Sequence, residues 1–426
     1  MVLNYIWIAF FLIAFVVALI RTLLYAFRDT FGLESIMTEA DRDVFTTIVK
    51  STFDMGETSV TIAIGLIGAM TLWLGIMKIG EKGGAIDVMS KGIKPLFTRI
   101  FPEIPKSHPA HGAMVMNFAA NMLGLDNAAT PMGLKAMDEL QKENPVKDTA
   151  SNAQIMFLVL NTSGLTLIPV SILALRASNH SANPAEVFIP ILLATYFSTM
   201  VGLLTVAIWQ KINLFDKVIL SYLLGMAAIV SGIIWFFSTL SQDQVETYSS
   251  VLGNGILFSI IAAFILLAVL RKVNIYESFI EGAVDGFQTS VKIIPYLVAM
   301  LVAIGVFRAS GTLDYIFLGF KWFFGLFFED LRWVDTLPVA FMKPLSGSGA
   351  RAAFVEVAEN FGGMDVFRAK IAATLQGSTE TTFYVIAVYF GSVGIKKTRY
   401  AAGLGLLADL AGIIAAIIIS YIFYVH

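Results

Sequence analysis

The stretch "NFAANMLGLDNAATPMG", residues 117–133, packs three asparagines, an aspartate, two glycines and a proline into seventeen positions of an otherwise apolar chain. It is either an exposed loop or backbone interrupted inside a membrane. A lipid-facing backbone cannot leave amides and carbonyls unpaired, so a break at membrane depth is tolerated only against protein or a watery cavity. The rest of the chain decides between the two.

Of the 426 residues, 57% are apolar and 14% charged, against about 25% charged in a soluble domain. The runs "LNYIWIAFFLIAFVVALI" (3–20) and "LLADLAGIIAAIIISYIFYV" (406–425) are long enough for a hydrocarbon core of about 30 Å. The expected fold class is an all-α polytopic membrane protein. Nine spanning helices are expected, near 3–27, 56–79, 152–177, 186–210, 218–238, 252–270, 285–307, 370–391 and 401–424. The first run lacks a basic leader and a small-residue cleavage site, which favours a retained helix over a signal peptide. The absence of cysteine excludes disulfides, thiolate metal sites and cysteine nucleophiles. The net charge of −2 identifies no partner.

Two stretches, 84–148 and 310–365, differ from the spans. Each opens with an amphipathic piece suited to a membrane surface, "GAIDVMSKGIKPLFTRIF" (84–101) and "GTLDYIFLGFKWFFGLFF" (311–328). Basic residues set the orientation. Nine Lys and Arg fall from Lys78 to Lys147, whereas 239–251 has none. With the clusters cytoplasmic, the N-terminus is expected inside and the C-terminus outside. Residues 308–370, with seven basic residues, go against this arrangement, although Lys343 and Arg351 lie in a break.

The chain holds two copies of one plan. "FDMGETSV" (53–60) matches "VDGFQTSV" (284–291), pairing Asp54 with Asp285, Thr58 with Thr289 and Ser59 with Ser290. A spanning helix, a surface helix and a glycine-bearing break follow, "NMLGLDNAAT" (121–130) in one copy and "KPLSGSGARA" (343–352) in the other. Then comes a helix with a polar interruption, "LVLNTSGLTLIP" (158–169) against "ATLQGSTETTFY" (373–384), which pairs Asn161 with Gln376 and Ser163 with Ser378. Four spans per copy and one extra helix at 218–238 put the second copy into the membrane upside down. Such inverted repeats with interrupted helices are a feature of secondary transporters.

The arms beside Gly124, residues 112–123 and 128–140, span about 18–20 Å each, too short to cross alone. Together they suit a re-entrant hairpin. Asp126 is the expected N-cap of its second arm and Ser348 that of the other copy. Half-helix N-termini carry partial positive charge, and carbonyls freed at the breaks can coordinate a cation.

The segments 65–141 and 161–186 resemble the spore maturation protein A family, and 343–354 and 375–401 resemble the B family, both within the nucleoside-recognition (Gate) superfamily. The resemblance implies an A–B fusion. The A-like half would be 1–212, with a hairpin at about 109–142 and a broken helix at 152–177. A link at 213–250 would lead to the B-like half, 251–426, with a hairpin at about 336–362 and a broken helix at 370–391. Concentrative nucleoside transporters share the superfamily, and the similarity implies a substrate site between hairpin tips and broken helices, with an elevator-like core. Those transporters' nucleoside- and sodium-reading motifs are not found at the hairpins.

On that reading, the first copy offers Asn117, Asn121, Asp126, Asn127, Asn161, Thr162 and Ser163 to a small polar solute, a nucleoside or an organic anion. The second offers Ser346, Ser348, Arg351, Gln376, Ser378, Thr379 and Glu380. The asparagines also suit backbone satisfaction in the hairpin. Glu380 sits inside a helix, where an ionisable group is costly and usually functional; pairing with Arg351 is the alternative. Asp54, Asp285 and Glu380 are the candidates for coupling to Na+ or H+, with helix capping the competing role for the two aspartates. Asp409, alone in the last apolar helix, suits a proton site or a buried polar pairing. His108 and His111 lack a third ligand in register, so no metal site and no cofactor are expected.

No enzyme is expected. "LSGSG" (345–349) superficially resembles a serine protease motif, yet only His426 follows it, and "HExxH", "GxGD" and "GxxxxGK[ST]" patterns are absent. A non-transporting role in spore or envelope maturation or lipid handling is the alternative. The expected partners are the solute and the lipid of a bacterial-type plasma membrane. Nucleic acid is not expected, and the transporter analogy favours a homo-oligomer.

Overall fold

A computed structural model describes residues 2–33, 35, 37–240 and 242–425; within these, the side chains of 2–6, 62, 63, 66, 126–128, 242, 243, 245, 246, 249, 250, 289, 292, 293, 296, 297 and 300 lie outside the description, those of Asp126, Asn127 and Thr289 among them, as does His426. The described elements are helices, with one isolated bridge between Thr149 and Lys397.

The first half comprises α1 (Val2–Ala26), the short α2 (Arg28–Phe31) and α3 (Glu39–Arg42), α4 (Val44–Lys82), α5 (Ala85–Ile100), α6 (Pro109–Met122), α7 (Asp126–Glu143), α8 (Asn152–Ser163), α9 (Val170–Ser178) and α10 (Phe188–Trp209). α11 (Lys217–Ser238) links it to α12 (Gln242–Leu270), α13 (Ile275–Ala309), α14 (Thr312–Gly325), α15 (Leu337–Met342), α16 (Gly347–Phe361), α17 (Phe367–Gly377), α18 (Thr382–Ser392) and α19 (Ala401–Tyr424). From α4 to α10 and from α13 to α19 the order is the same. A long helix, a shorter helix, a two-armed hairpin, a helix in two pieces and an apolar helix follow one another.

The halves interlock through equivalent parts. α4 lies along α13, and α10 along α19; α1 packs on α13, and α12 on α4. The α4–α13 contact is backbone-close. A Cβ at Gly282 would sit 2.2 Å from the Leu74 carbonyl oxygen, and one at Gly286 2.5 Å from that of Met70. Small residues let apolar helices approach this closely where lipid provides no hydrophobic drive. Ser59 and Ser290 are buried in the two long helices, each hydroxyl donating to the carbonyl four residues back, Met55 and Gly286.

Among the described residues, five helices are long and apolar enough to cross a membrane: Trp7–Ala26, Pro184–Trp209, Lys217–Ser238, Val251–Leu270 and Ala401–Tyr424. A sixth candidate is the pair Leu301–Ala309 and Thr312–Gly325, bent by 74°. The remaining expected spans take other forms. Residues 56–79 and 285–307 belong to helices of 39 and 35 residues that begin in polar sequence, while 152–177 and 370–391 are each split in two. Burial orders the candidates. In the α10 window 72% of residues are buried, against 6% in that of α11 and 11% in that of α1, which puts α10 at the centre and α11 and α1 at the rim.

Two capping expectations change. Asp54 follows Val44 by ten residues and Asp285 follows Ile275 by ten, so neither starts its helix. The apolar run marks only the membrane part of each helix; hydrogen bonding continues upstream through polar residues. At the hairpins, Leu125 rather than Asp126 is the N-cap of α7, and Ser346 rather than Ser348 is that of α16. The Ser346 hydroxyl accepts from the Gly349 amide at 3.0 Å, which satisfies one of the orphan donors of the helix start.

Candidate functional site

The site is built from two interrupted helices. α8 ends at Gly164, whose φ of +58° is the left-handed conformation that releases the last carbonyls. Pro169 cannot donate to a preceding turn and stands as the N-cap of α9. Freed groups find partners across the site. The Leu167 amide donates to the Met122 carbonyl at the first hairpin tip (2.6 Å), and the Thr166 amide to the Thr195 hydroxyl on α10 (3.4 Å). In the second half, α17 ends at Gly377 and α18 starts at Thr382. There the Phe383 amide donates to the Pro344 carbonyl at the second tip (3.0 Å), and the Thr382 hydroxyl to the Asp409 carboxylate on α19 (2.5 Å). The two breaks meet directly, since the Glu380 amide donates to the Thr162 carbonyl at 2.8 Å.

Each hairpin tip seats on the break of its own half. Gly124 turns the first hairpin at φ +70°, and a Cβ there would lie 2.5 Å from the Ile168 carbonyl oxygen. The Asn121 side chain donates to Asn161 Oδ1 (2.8 Å), and Asn161 donates to the Phe157 carbonyl one turn back (2.8 Å). In the second half, Gln376 reaches the Gly347 carbonyl only at 3.5 Å. Ser346 and Ser348 share a hydroxyl contact of 3.2 Å.

The structure thus brings together Asn121, Asn161, Thr162, Gln376, Glu380 and the tip serines. Thr162, Ser163 and Ser378 are fully buried, and each hydroxyl donates to a carbonyl of its own helix. Asn117, also fully buried, donates to the Ala129 carbonyl (2.8 Å) and the Tyr389 hydroxyl (3.2 Å), so it joins the arms of the first hairpin to α18. The side chains of Asp126 and Asn127 lie outside the described residues. Glu380 is exposed, and no ion pair among the described residues joins it to Arg351, whose buried Nε has no hydrogen-bond partner. No hydrogen bond or ion pair among the described residues ties Asp54 or Asp285 to a hairpin or a break. His108 caps α6 through Nδ1 and sits 3.2 Å from Glu143, closing the base of the hairpin. A separate cavity of about 270 Å³, lined in part by Arg308, Lys321 and Glu356, lies at the base of the second hairpin rather than at its tip.

Thr195, Ser198 and Tyr389 also serve the site, although the sequence motifs do not include them. A signal for the first two was present: Thr195, Ser198 and Thr199 fall on one face of an apolar helix, and all three are buried. Ser198 donates to the Ala408 carbonyl (2.9 Å), which holds α10 to α19 behind both breaks.

Comparison with known proteins covers these elements. A family model described as "Gate: Nucleoside recognition" matches residues 63–178 and 290–396, each segment running from a long helix past the hairpin and through the broken helix. Spore maturation protein A of Bacillus subtilis (strain 168) is 41% identical over 149 residues, 35% of this chain and 76% of that protein. Spore maturation protein B of the same organism is 46% identical over 160 residues, 38% of this chain and 88% of that protein. The N-terminal half matches A and the C-terminal half matches B, as a fusion of the two would. The chain belongs to the Gate family.

Proposed function

We propose that this Gate-family chain is a secondary transporter of a small polar solute, nucleoside-like or an organic anion, coupled to Na+ or H+. The hairpins and broken helices form its moving core. The observation behind this reading is the direct meeting of two helix breaks, each covered by a hairpin tip from its own half. Interrupted backbone within apolar helices has a physical reason to exist where it binds and releases a polar solute. The reading takes the repeats as inverted, the N-terminus as cytoplasmic and the assembly as a homo-oligomer in a bacterial-type plasma membrane. It assigns no enzymatic step.

Contact between the breaks fits a closed state in which tips must part to admit solute. Asn121, Asn161 and Gln376 are the groups whose hydrogen bonds would be exchanged for bonds to solute. The test is uptake into proteoliposomes from a panel of nucleosides, nucleobases and organic acids under Na+ and proton gradients. Uptake of one class, reduced at least tenfold by Asn161→Ala with the protein still folded, is expected. No uptake and no ligand-dependent stabilisation across the panel would remove the transport reading. The names of both relatives favour a second reading, a non-transporting membrane protein of spore maturation, and that same null result would select it.

A further inference from the structure

The last helix carries a carboxylate where a neutral group would serve to tie the break. From Ala401 to Tyr424, α19 carries no charged residue except Asp409, whose side chain is only 1% exposed. Oδ2 accepts from the Thr382 hydroxyl at 2.5 Å, and Oδ1 has no hydrogen-bond partner. The Thr379 hydroxyl lies beside the same carboxylate and likewise makes no hydrogen bond of good geometry. Both threonines flank the second break. The Ser378 carbonyl oxygen lies 3.1 Å from where a Cβ would stand on Gly412, three residues along α19 from Asp409. Two charged groups are within electrostatic reach of the carboxylate, Lys343 from the second hairpin tip and Glu380 from the break. An ionised carboxylate buried in an apolar helix is costly unless a cation accompanies it.

The first half offers a control. Thr195 on α10 serves the first break as Asp409 serves the second, accepting the Thr166 amide where Asp409 accepts the Thr382 hydroxyl. The neutral threonine shows that a break can be tied to its neighbouring helix without charge. The carboxylate on α19 therefore adds something other than packing, and it does so on one side only.

We propose that Asp409 is the coupling-ion site: a buried carboxylate that takes up one monovalent cation, Na+ or H+, with the Thr379 hydroxyl as its neighbour. As Na+, the ion lies between Oδ1 and the Thr379 oxygen. As H+, hydronium gives its proton to Oδ1, leaving water and a neutral carboxyl. In either case one positive charge enters, and the electrostatic pull of the carboxylate on the Lys343 ammonium at the second hairpin tip weakens. A single carboxylate suits a monovalent ion, and among the described residues no group of three or more His, Cys, Asp or Glu could hold a metal ion. The assignment rests on the transport reading for the word coupling, but the ion site stands or falls by itself.

The full-length protein in lipid nanodiscs is unfolded thermally in NaCl and in choline chloride at equal ionic strength. The carboxyl stretching band is followed by infrared spectroscopy across pH. A Na+-dependent rise in the unfolding midpoint that is lost in Asp409→Asn and kept in Asp54→Asn and Asp285→Asn establishes a Na+ site. No Na+ effect, with a titrating carboxyl band that disappears in Asp409→Asn, establishes a proton site. Neither signal, or a signal that survives Asp409→Asn, overturns the proposal. If Asp409→Asn does not fold, Lys343→Met decides: it should enlarge the Na+ shift or the carboxyl signal, and no change overturns the assignment. Ion binding without solute uptake in liposomes would keep the site and remove the transporter. Uptake indifferent to Asp409 would do the reverse.

Discussion

Arg176 illustrates how much one side chain holds in place. It is fully buried at the end of α9, and its guanidinium donates to the Met364 carbonyl (2.7 Å), Ser181 (2.9 Å), the Asn183 carbonyl (3.2 Å) and Asp365 (2.9 Å). Those partners span both halves, so the arginine pins the far end of the first broken helix to the loop before α17. Removing it strands the acceptors that surround it. Arg176→Met is expected to lower stability by about 3–5 kcal/mol, read as the unfolding midpoint in detergent. Arg176→Lys should recover little, because a point ammonium cannot reproduce the planar fork. Asp365 adds a pH dependence. Burial acts to raise its carboxyl, but the Ser181 hydroxyl, the Ala182 amide and Arg176 together hold it below its ordinary value of 3.8. A depressed carboxylate contributes stability that is present above the unfolded value and lost as pH falls through the lower folded value. Unfolding midpoints measured from neutral pH down past 3.8 should therefore drop less steeply in Asp365→Asn than in the unsubstituted protein.

At the scale of elements, the α4–α13 crossing makes a contrast that can be measured. A methyl at Gly282 would meet the Leu74 backbone at 2.2 Å, whereas one at Gly68 on α4 meets nothing within 4 Å. Gly282→Ala must push two long helices apart and should cost about 1–3 kcal/mol. Gly68→Ala should be neutral or stabilise by up to about 1 kcal/mol, since glycine is the poorer helix former. Equal effects would mean that the crossing is not packed as described. Much of this layer was legible in the chain. Gly124, Gly164 and Pro169 interrupt apolar runs, and they stand at the turns and breaks observed. The amphipathic stretch at 84–101 appears as the helix Ala85–Ile100 because Ile86, Ile93, Phe97 and Ile100 repeat on one helical face, and all four are buried. Span number was less legible. Hydropathy registers where a helix is apolar and not where its hydrogen bonding starts, so Asp54 and Asp285 were read as helix starts rather than interior residues. Caps shifted by one or two residues for a related reason: Ser346 and Ser348 are equally good capping types, and only backbone geometry distinguishes them. Thr195 and Ser198 were passed over because a hydroxyl in an apolar helix usually satisfies its own backbone.

The whole molecule is two sequences folded as one body. Contacts that define the site cross between the halves at every level. The Glu380 amide meets the Thr162 carbonyl, Asn117 meets Tyr389, Arg176 meets Asp365, and the Ala150 amide donates to the Lys397 carbonyl at 3.0 Å. The long helices α4 and α13, and the apolar helices α10 and α19, lie against each other rather than within one half. Neither half alone would cover the glycine face of its long helix or satisfy the carbonyls of its break, and exposed backbone in lipid costs several kcal/mol per group. The covalent link contributes less. Phe215, in the loop between α10 and α11, is 84% exposed, and the hydrogen bonds around it are local, accepted by the Asn213 and Asp216 side chains. Exposed loops of this kind tolerate interruption. The chain cut after Leu214 is therefore expected to yield two pieces that co-purify as a one-to-one complex when produced together, with a tag on one piece recovering the other. Produced singly, each should be degraded or aggregate. Adding Gly282→Leu to the second piece should abolish co-purification, because the crossing of α4 and α13 is where the halves approach most closely. A stable, monodisperse single half would show that the domains fold first and dock later, and the interlocked site would then be a product of tethering rather than of the fold.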